Sequence, residues 1–340
     1  MVLGAPQWIF IVVNIVSLPL YLLLIIICIK EVQHKSPQST FYIISISQGV
    51  MDIMVMVDEF FFAILRFSDL LNEFYWKNHE QYYFATWCFN HTYISMCMRV
   101  FGVLLISFQR YISLCRSGHT IEQVINTSHR WILPILQWAI PAVYSIPILL
   151  FSHASFEGPG HLEVVASPGE IKNAASLSAI FVTITFILTS MCYGAVLKFL
   201  IKNRSCSSAA MQKERRLYIQ MLGLFVGFIL FLIFNIVQFV FALHYQDGPI
   251  YSMRRLFPMI SCFFSYVNAW MILILNDDLR RQILCLVSCQ SKHRSRHPAR
   301  TRTIFGIKLL SKMCMRHEPS CPTISVESKI GRHIDKVTSF

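Results

Sequence analysis

Seven runs of apolar residues, broken by short polar segments, fill the chain from Trp8 to Leu275, near 8–29, 42–65, 88–112, 131–151, 176–200, 217–243 and 256–275. A helix rises 1.5 Å per residue, so about 20 apolar residues cross the roughly 30 Å hydrocarbon core of a bilayer. The pattern therefore predicts seven membrane-spanning helices. Lipid offers no partner to an open sheet edge, and the fold class expected is an all-α, membrane-embedded seven-helix bundle. The first run is too long for a secretory signal, lacks a basic segment before it, and is read as a retained anchor. No repeat or second globular domain is visible.

Three segments follow from the pattern: a seven-span domain over 1–276, an amphipathic membrane-surface helix over 277–290, and a tail over 291–340 that is basic, largely aperiodic and expected to be disordered. Only about seven residues precede the first span, so a ligand is expected to enter between helices. The segment from Ser152 to Ala175, rich in Gly, Pro and Glu, reads as a solvated loop, acidic through Glu157, Glu163 and Glu170.

An odd number of spans puts the two ends of the bundle on opposite sides, and basic residues choose the inner one. With the N-terminus outside, 24 of the 30 Lys and Arg residues fall on the inner side. Arg66, Lys77, Lys172, Arg254 and Arg255 fall outside, and Arg99 lies within a span. The expectation is a multi-pass plasma-membrane protein with an extracellular N-terminus and a cytoplasmic C-terminus. The net charge of +12 then sits mostly on the inner face, where anionic lipid and an acidic partner meet it. Nucleic acid is not an expected partner, because these charges flank spans and do not form a free basic domain. Trp8 and Trp87 at outer edges and Trp131 at an inner edge suit the interfacial belt.

Of eleven cysteines only Cys88 lies at the outer edge, which argues against a disulfide framework, and no spacing resembles a metal site. No cofactor is expected. Cys285 and Cys289, one turn apart on the surface helix, are candidates for palmitoylation, with unmodified thiols as the alternative. The sequons at Asn90, Asn126 and Asn203 are expected to be silent.

Arg99 is the costliest residue, since a charge at the bilayer centre costs about 2.5–3.5 kcal/mol on insertion scales. It precedes Arg110 by eleven residues on a descending span, as Asp52 follows Phe41 by eleven on an ascending one. Both then lie about 16 Å from the inner face. A buried ion pair between Asp52 and Arg99 is expected; the alternative places each in its own wet cavity. Asp58 and Glu59 lie higher on the second span, and as neighbours in sequence are expected on different helix faces. One of them is a candidate for an outer vestibule.

The triplet Gln109-Arg110-Tyr111 closing the third span resembles that of the rhodopsin-like G-protein-coupled receptors. Asn268-Ala269-Trp270-Met271-Ile272, followed by Asn276-Asp277-Asp278-Leu279-Arg280, has the spacing of that family's seventh-helix motif and surface helix. Trp138 and Pro147 resemble its fourth helix. Pro19-Leu20-Tyr21, Ser39-Thr40-Phe41-Tyr42 and Ser47-Gln48-Gly49 are similar to nematode serpentine chemoreceptors of class V (srv), in the class gamma superfamily. The resemblance covers the seven spans and not the tail.

It implies that Arg110 and Tyr111 face a cavity for the C-terminal helix of a heterotrimeric G protein, with Gln109 beside them and Arg215 and Arg216 on the basic third inner loop. It implies a small-molecule or odorant ligand and a sensory-cell membrane, with sensory cilia as one such site. Asp58, Glu59, Phe61, Tyr93, Met96 and Phe239 are ligand-contact candidates by position, each with core packing as the alternative. Asp52 matches the family's sodium-binding Asp, so Arg99 would take the ion's neighbourhood. Three departures stand out. Gln109 replaces the acid that restrains the Arg, the fifth and sixth spans lack Pro, and the second outer loop has no Cys to pair with Cys88.

Two other function classes compete. A seven-helix chemoreceptor channel or a transporter also carries charges within spans, but paired halves and interrupted helices are not visible. An intramembrane enzyme is not expected. The twelve histidines fall in loops, the tail or, for His91, near an outer edge, and no Gly-x-Gly-Asp motif occurs.

Overall fold

Backbone groups in lipid must be satisfied within their own segment, and the apolar runs do so as long helices. The computed structural model describes residues 4–33, 39–68, 70–115, 120–125, 130–202, 209–244, 247–275 and 280, all within one unit, Met1–Cys289. In chain order the elements are α1 (Ala5–Gln33), α2 (Ser39–Glu59) with a π-helical turn at Phe60–Leu65, α3 (Asn72–Tyr82), α4 (Phe84–Cys115) and the single turn α5 (Thr120–Gln123). Then come α6 (Ile132–Phe151), the strands β1 (Ala154–Gly158) and β2 (His161–Ala166), α7 (Pro168–Lys202), α8 (Ala209–Leu243) and α9 (Asp247–Leu275).

Six of these helices, α1, α2, α4, α6, α7 and α8, carry stretches long and apolar enough to cross a membrane. The seventh long helix, α9, spends its first turns on Asp247, Arg254 and Arg255 and packs along α1, α2 and α8. In α4, 83% of the span window is buried against 22% in α1, which makes α4 the axis around which the others pack. Ile15, Val143 and Met191 are 65–70% exposed, while Asp52, Arg99, Gln137, Asn235 and Gln238 are buried. This inside-out distribution suits lipid, where a polar group costs least facing its neighbours.

Apart from α6, which matches its predicted span to within one residue, the long helices outrun their predicted spans because hydropathy marks only the hydrocarbon-facing part of each. Two connections also differ from expectation. Residues 154–166 are not a solvated loop but an antiparallel hairpin, pairing Ala154 with Ala166, Ser155 with Val165 and Phe156 with Val164. Phe156, Leu162, Val164 and Ala166 are buried under it, so one strand face lies over the end of the bundle. Thr86 fastens β1 to α4, its hydroxyl donating to the Ala154 carbonyl at 3.2 Å and accepting from the Ala154 amide at 3.1 Å. From there α7 starts at Pro168, eight residues before the predicted span. Its start is a capping box, in which the Ser167 amide donates to Glu170 at 2.9 Å and the Glu170 amide to the Ser167 hydroxyl at 3.3 Å. The second unforeseen element is α3, joined to α4 through Tyr83 in the left-handed region at φ 52°.

The surface helix expected at 277–290, with Asn276, Cys285 and Cys289, and the tail over 291–340 lie outside the described residues, Arg280 excepted.

Candidate functional site

Midway along the bundle, α2, α4 and α9 each contribute polar side chains to a buried belt. Arg99 Nε donates to Asp52 Oδ1 at 3.1 Å, with Arg99 wholly buried and Asp52 nearly so. Arg99 Nη1 donates to Ser261 Oγ at 2.7 Å, and Nη2 donates to the Ser261 carbonyl at 2.6 Å and Ser265 Oγ at 2.5 Å. Phe231 and Phe264 bring their rings to 5.3 and 5.0 Å from the guanidinium. The carboxylate is equally saturated. Tyr21 Oη donates to Oδ2 at 2.8 Å, and Gln48 Nε2 and Ser265 Oγ donate to Oδ1 at 3.3 and 3.4 Å.

A buried ion pair holds only when its remaining donors and acceptors are met, and this belt meets them from four helices. A fifth joins through Gln137 of α6, whose Nε2 donates to Gln48 Oε1 at 2.7 Å. Gly102 makes room for that link, since a Cβ there would stand 1.8 Å from Gln48 Oε1 and 2.6 Å from Gln137 Nε2. The expected partners Asp52 and Arg99 are thus brought into direct contact.

Toward the hairpin end the π-helical turn widens α2 by one residue and turns Ile64 into the core, with Phe62 lining a cavity. Such turns recur at functional sites. The Phe61 carbonyl accepts from Tyr75 Oη at 2.6 Å, and the Phe62 carbonyl from Arg66 Nε at 2.8 Å. Arg66 Nη1 also donates to the Leu162 carbonyl, tying the hairpin down. The cavity, about 60 Å³, lies between α1, α2, α4, α9 and β2, with Glu59, Arg66, His91, Glu163, Arg254 and Arg255 among its lining residues. That is room for a few heavy atoms, well short of the pockets that take drug-sized ligands.

Asp58 and Glu59 lie on adjoining sides of α2, Asp58 partly exposed and Glu59 buried and lining the cavity, yet both reach His91. Residues 100° apart on a helix can flank one ring, and His91 sits between them. Its Nε2 is 3.5 Å from Asp58 Oδ2 and its Nδ1 is 4.0 Å from Glu59 Oε1. His91 is itself a buried residue of α4, and neither its edge position nor its sequence neighbours reveal that role.

Phe61 is 46% exposed and turned away from the cavity that Phe62 lines, so the ligand candidate moves by one residue. Tyr93 is fully buried in α4, its hydroxyl accepting from Gln238 Nε2 at 3.1 Å and Arg254 Nη2 at 3.3 Å. Met96 packs in the core beside Phe228 and Phe231, and Phe239 packs at the rim of the hairpin-end core. Among the described residues no group of three or more His, Cys, Asp or Glu is arranged to hold a metal ion, and Cys88 is a free thiol.

At the opposite end Arg110 is buried, with its guanidinium carbon 3.6 Å from the centre of the Phe41 ring on the first turn of α2. Gln109 is buried beside it and donates through Nε2 to Ser113 Oγ at 3.1 Å, one turn along its own helix. Tyr111 packs against the same cluster as Phe41. Asn268 is buried in α9, and the neighbouring Trp270 Nε1 donates to Ser17 Oγ at 3.1 Å, fastening α9 to α1. Tyr193 of α7 donates to the Met221 carbonyl of α8 at 2.5 Å. Arg215 and Arg216 fall in α8.

Residues 10–289 match the family described as serpentine type 7TM GPCR chemoreceptor Srv. No curated protein matches the chain.

Proposed function

Since the chain belongs to the Srv family of serpentine seven-transmembrane chemoreceptors, we propose that it is a G-protein-coupled chemosensory receptor which takes a small molecule at its hairpin end and signals at its Arg110 end. The excess of basic residues on the Arg110 side supports an orientation with the hairpin outside and Arg110 inside, and in this reading the membrane is the plasma membrane. The observation that carries the reading is Arg99, eleven residues from Arg110 on α4 and eight from His91. It holds α2 and α9 through Asp52, Ser261 and Ser265. A ligand that shifts α2 or α9 at the cavity acts on a cation fixed to the helix that bears Arg110. Such a shared element, with two packings of unequal ligand affinity, is what coupling between two ends requires.

In this reading the buried Arg110 is the resting arrangement. Gln109, at the position of the family's acid, turns to its own helix, and the restraint on Arg110 comes instead from the Phe41 ring of α2. Separation of the Phe41 end of α2 from α4 uncovers Arg110 and Tyr111 for the C-terminal helix of a G protein, with Arg215 and Arg216 facing an acidic partner surface.

Cells expressing the receptor with a promiscuous G protein, challenged with an odorant panel, test the proposal. A response that requires the G protein and disappears in Arg110→Ala at unchanged surface level is expected. A ligand-gated current in cells without functional G proteins would instead identify a channel.

A further inference from the structure

Arg254 is placed at cost. It lies on α9 with its guanidinium 4.8 Å from the ring centre of Phe89 and 5.8 Å from that of Tyr251, and Nη2 donates to Tyr93 Oη at 3.3 Å. Its Nε and Nη1 are buried and have no hydrogen-bond partner among the described residues. Arg254 itself is only partly buried, but donors buried without an acceptor are costly, and the faces of the Phe89 and Tyr251 rings do not satisfy them.

A second guanidinium lines the same cavity. Arg66 spends Nε on the Phe62 carbonyl and Nη1 on the Leu162 carbonyl, and no carboxylate among the described residues stands within ion-pair distance of it. Burial, the largest cause, lowers the Arg66 pKa, and the Arg254 charge adds to the lowering while Cys88 and Glu163 oppose it. Glu163 is already engaged, accepting from Arg255 Nη2 at 2.9 and 3.1 Å. The other lining acid, Glu59, faces His91. Three guanidiniums against two carboxyls leave the lining with a formal surplus of one positive charge when His91 is neutral.

We propose that this cavity binds a small organic monocarboxylate, its charge held by Arg254 and Arg66 and its short apolar tail covered by Phe62, Phe89 and Phe257. A guanidinium presents planar donors that match a carboxylate's two oxygens, and an ion pair of this kind is stronger than a neutral hydrogen bond. The cavity volume of about 60 Å³ limits the ligand to a few heavy atoms. The inference names the ligand class of the receptor proposed above and rests on the hairpin end being its ligand-binding end.

Full-length receptor in lipid nanodiscs, titrated with butyrate and with the isosteric neutral butyramide in chloride-free gluconate buffer, tests it through the thermal unfolding midpoint and equilibrium dialysis. Butyrate is expected to bind saturably and raise the midpoint, and butyramide to do neither. Arg254→Gln should weaken butyrate binding at least ten-fold, and Arg254→Lys, which keeps the charge and loses the planar donors, by less. Should Arg254→Gln fail to fold, Arg66→Gln and the acid-against-amide comparison on the unaltered receptor decide. Equal binding of acid and amide, undiminished binding in Arg254→Gln, or stabilisation by chloride to which butyrate adds nothing would each overturn the assignment. Odorant-driven G-protein signalling with no carboxylate binding sinks this inference alone. Carboxylate binding with no G-protein activation sinks the receptor proposal and leaves the site standing.

Discussion

Phe41 covers the guanidinium of Arg110 at 3.6 Å, joining the first turn of α2 to the last turns of α4. A cation held over a ring gains about 0.5–2 kcal/mol, the larger figure when both are out of water. Replacing Phe41 with Ala removes that hold and uncovers Arg110. Ligand-independent G-protein activation should rise by about two- to thirty-fold per receptor at the surface, as that energy predicts for a two-state equilibrium. Basal second-messenger signal normalised to surface labelling measures it, and an unchanged or lower signal rejects Phe41 as the restraint.

Breaking the Asp52–Arg99 pair from one side should cost more than removing both charges. Arg99→Ala leaves a carboxylate buried without its cation, a loss on the order of 3–5 kcal/mol, whereas an apolar pair of similar volume is often close to neutral. Thermal unfolding of purified receptor should therefore rank Arg99→Ala below the double variant Asp52→Leu, Arg99→Met. Additive losses would show that the two side chains are not energetically coupled.

Gly102 stands where α4 meets the side chains of Gln48 and Gln137, and a methyl group there would overlap Gln48 Oε1. Gln48 can move only by releasing Gln137 and Asp52, to which it is hydrogen bonded. Gly102→Ala is expected to destabilise the receptor by about 1–3 kcal/mol, as overpacking does in cores. Gly194→Ala, with nothing within 4 Å of its added Cβ, serves as the tolerated control in the same unfolding assay.

Arg99 fills the space beside Asp52 with a tethered positive charge, and the carboxylate already accepts from Tyr21, Gln48 and Ser265. A sodium ion would find no free carboxylate oxygen there and would meet a guanidinium. Ligand binding or basal signalling is expected to be the same in sodium and in N-methylglucamine at equal ionic strength. A sodium-dependent change that disappears in Asp52→Asn would contradict this.

Much of the bundle was legible because hydropathy reports membrane crossing directly, and the depth match of Asp52 with Arg99 followed from helical rise alone. Length and charge could not foresee the π-helical turn, since exchanging Phe61 for Phe62 at the cavity depends on one extra residue in a helix that reads as regular. The hairpin was hidden by its Gly, Pro and Glu content, although Phe156, Leu162 and Val164 mark its buried face. The capping box Ser167-Pro168-Gly169-Glu170 was a readable signal for the start of α7. His91 and Arg254 escaped for a different reason: each looks like an edge residue by count, and only the packing of α4 against α2 and α9 makes it part of a cavity.

The orientation of the bundle carries every functional assignment, and accessibility of its two ends tests it most directly. Epitope tags placed at Met1 and at Phe340 of the full chain, probed with antibody in intact and then permeabilised cells, should report the first tag in both conditions and the second only after permeabilisation. Both tags accessible in the same condition, or the reverse order, would contradict a receptor that takes its ligand at the hairpin and signals at Arg110.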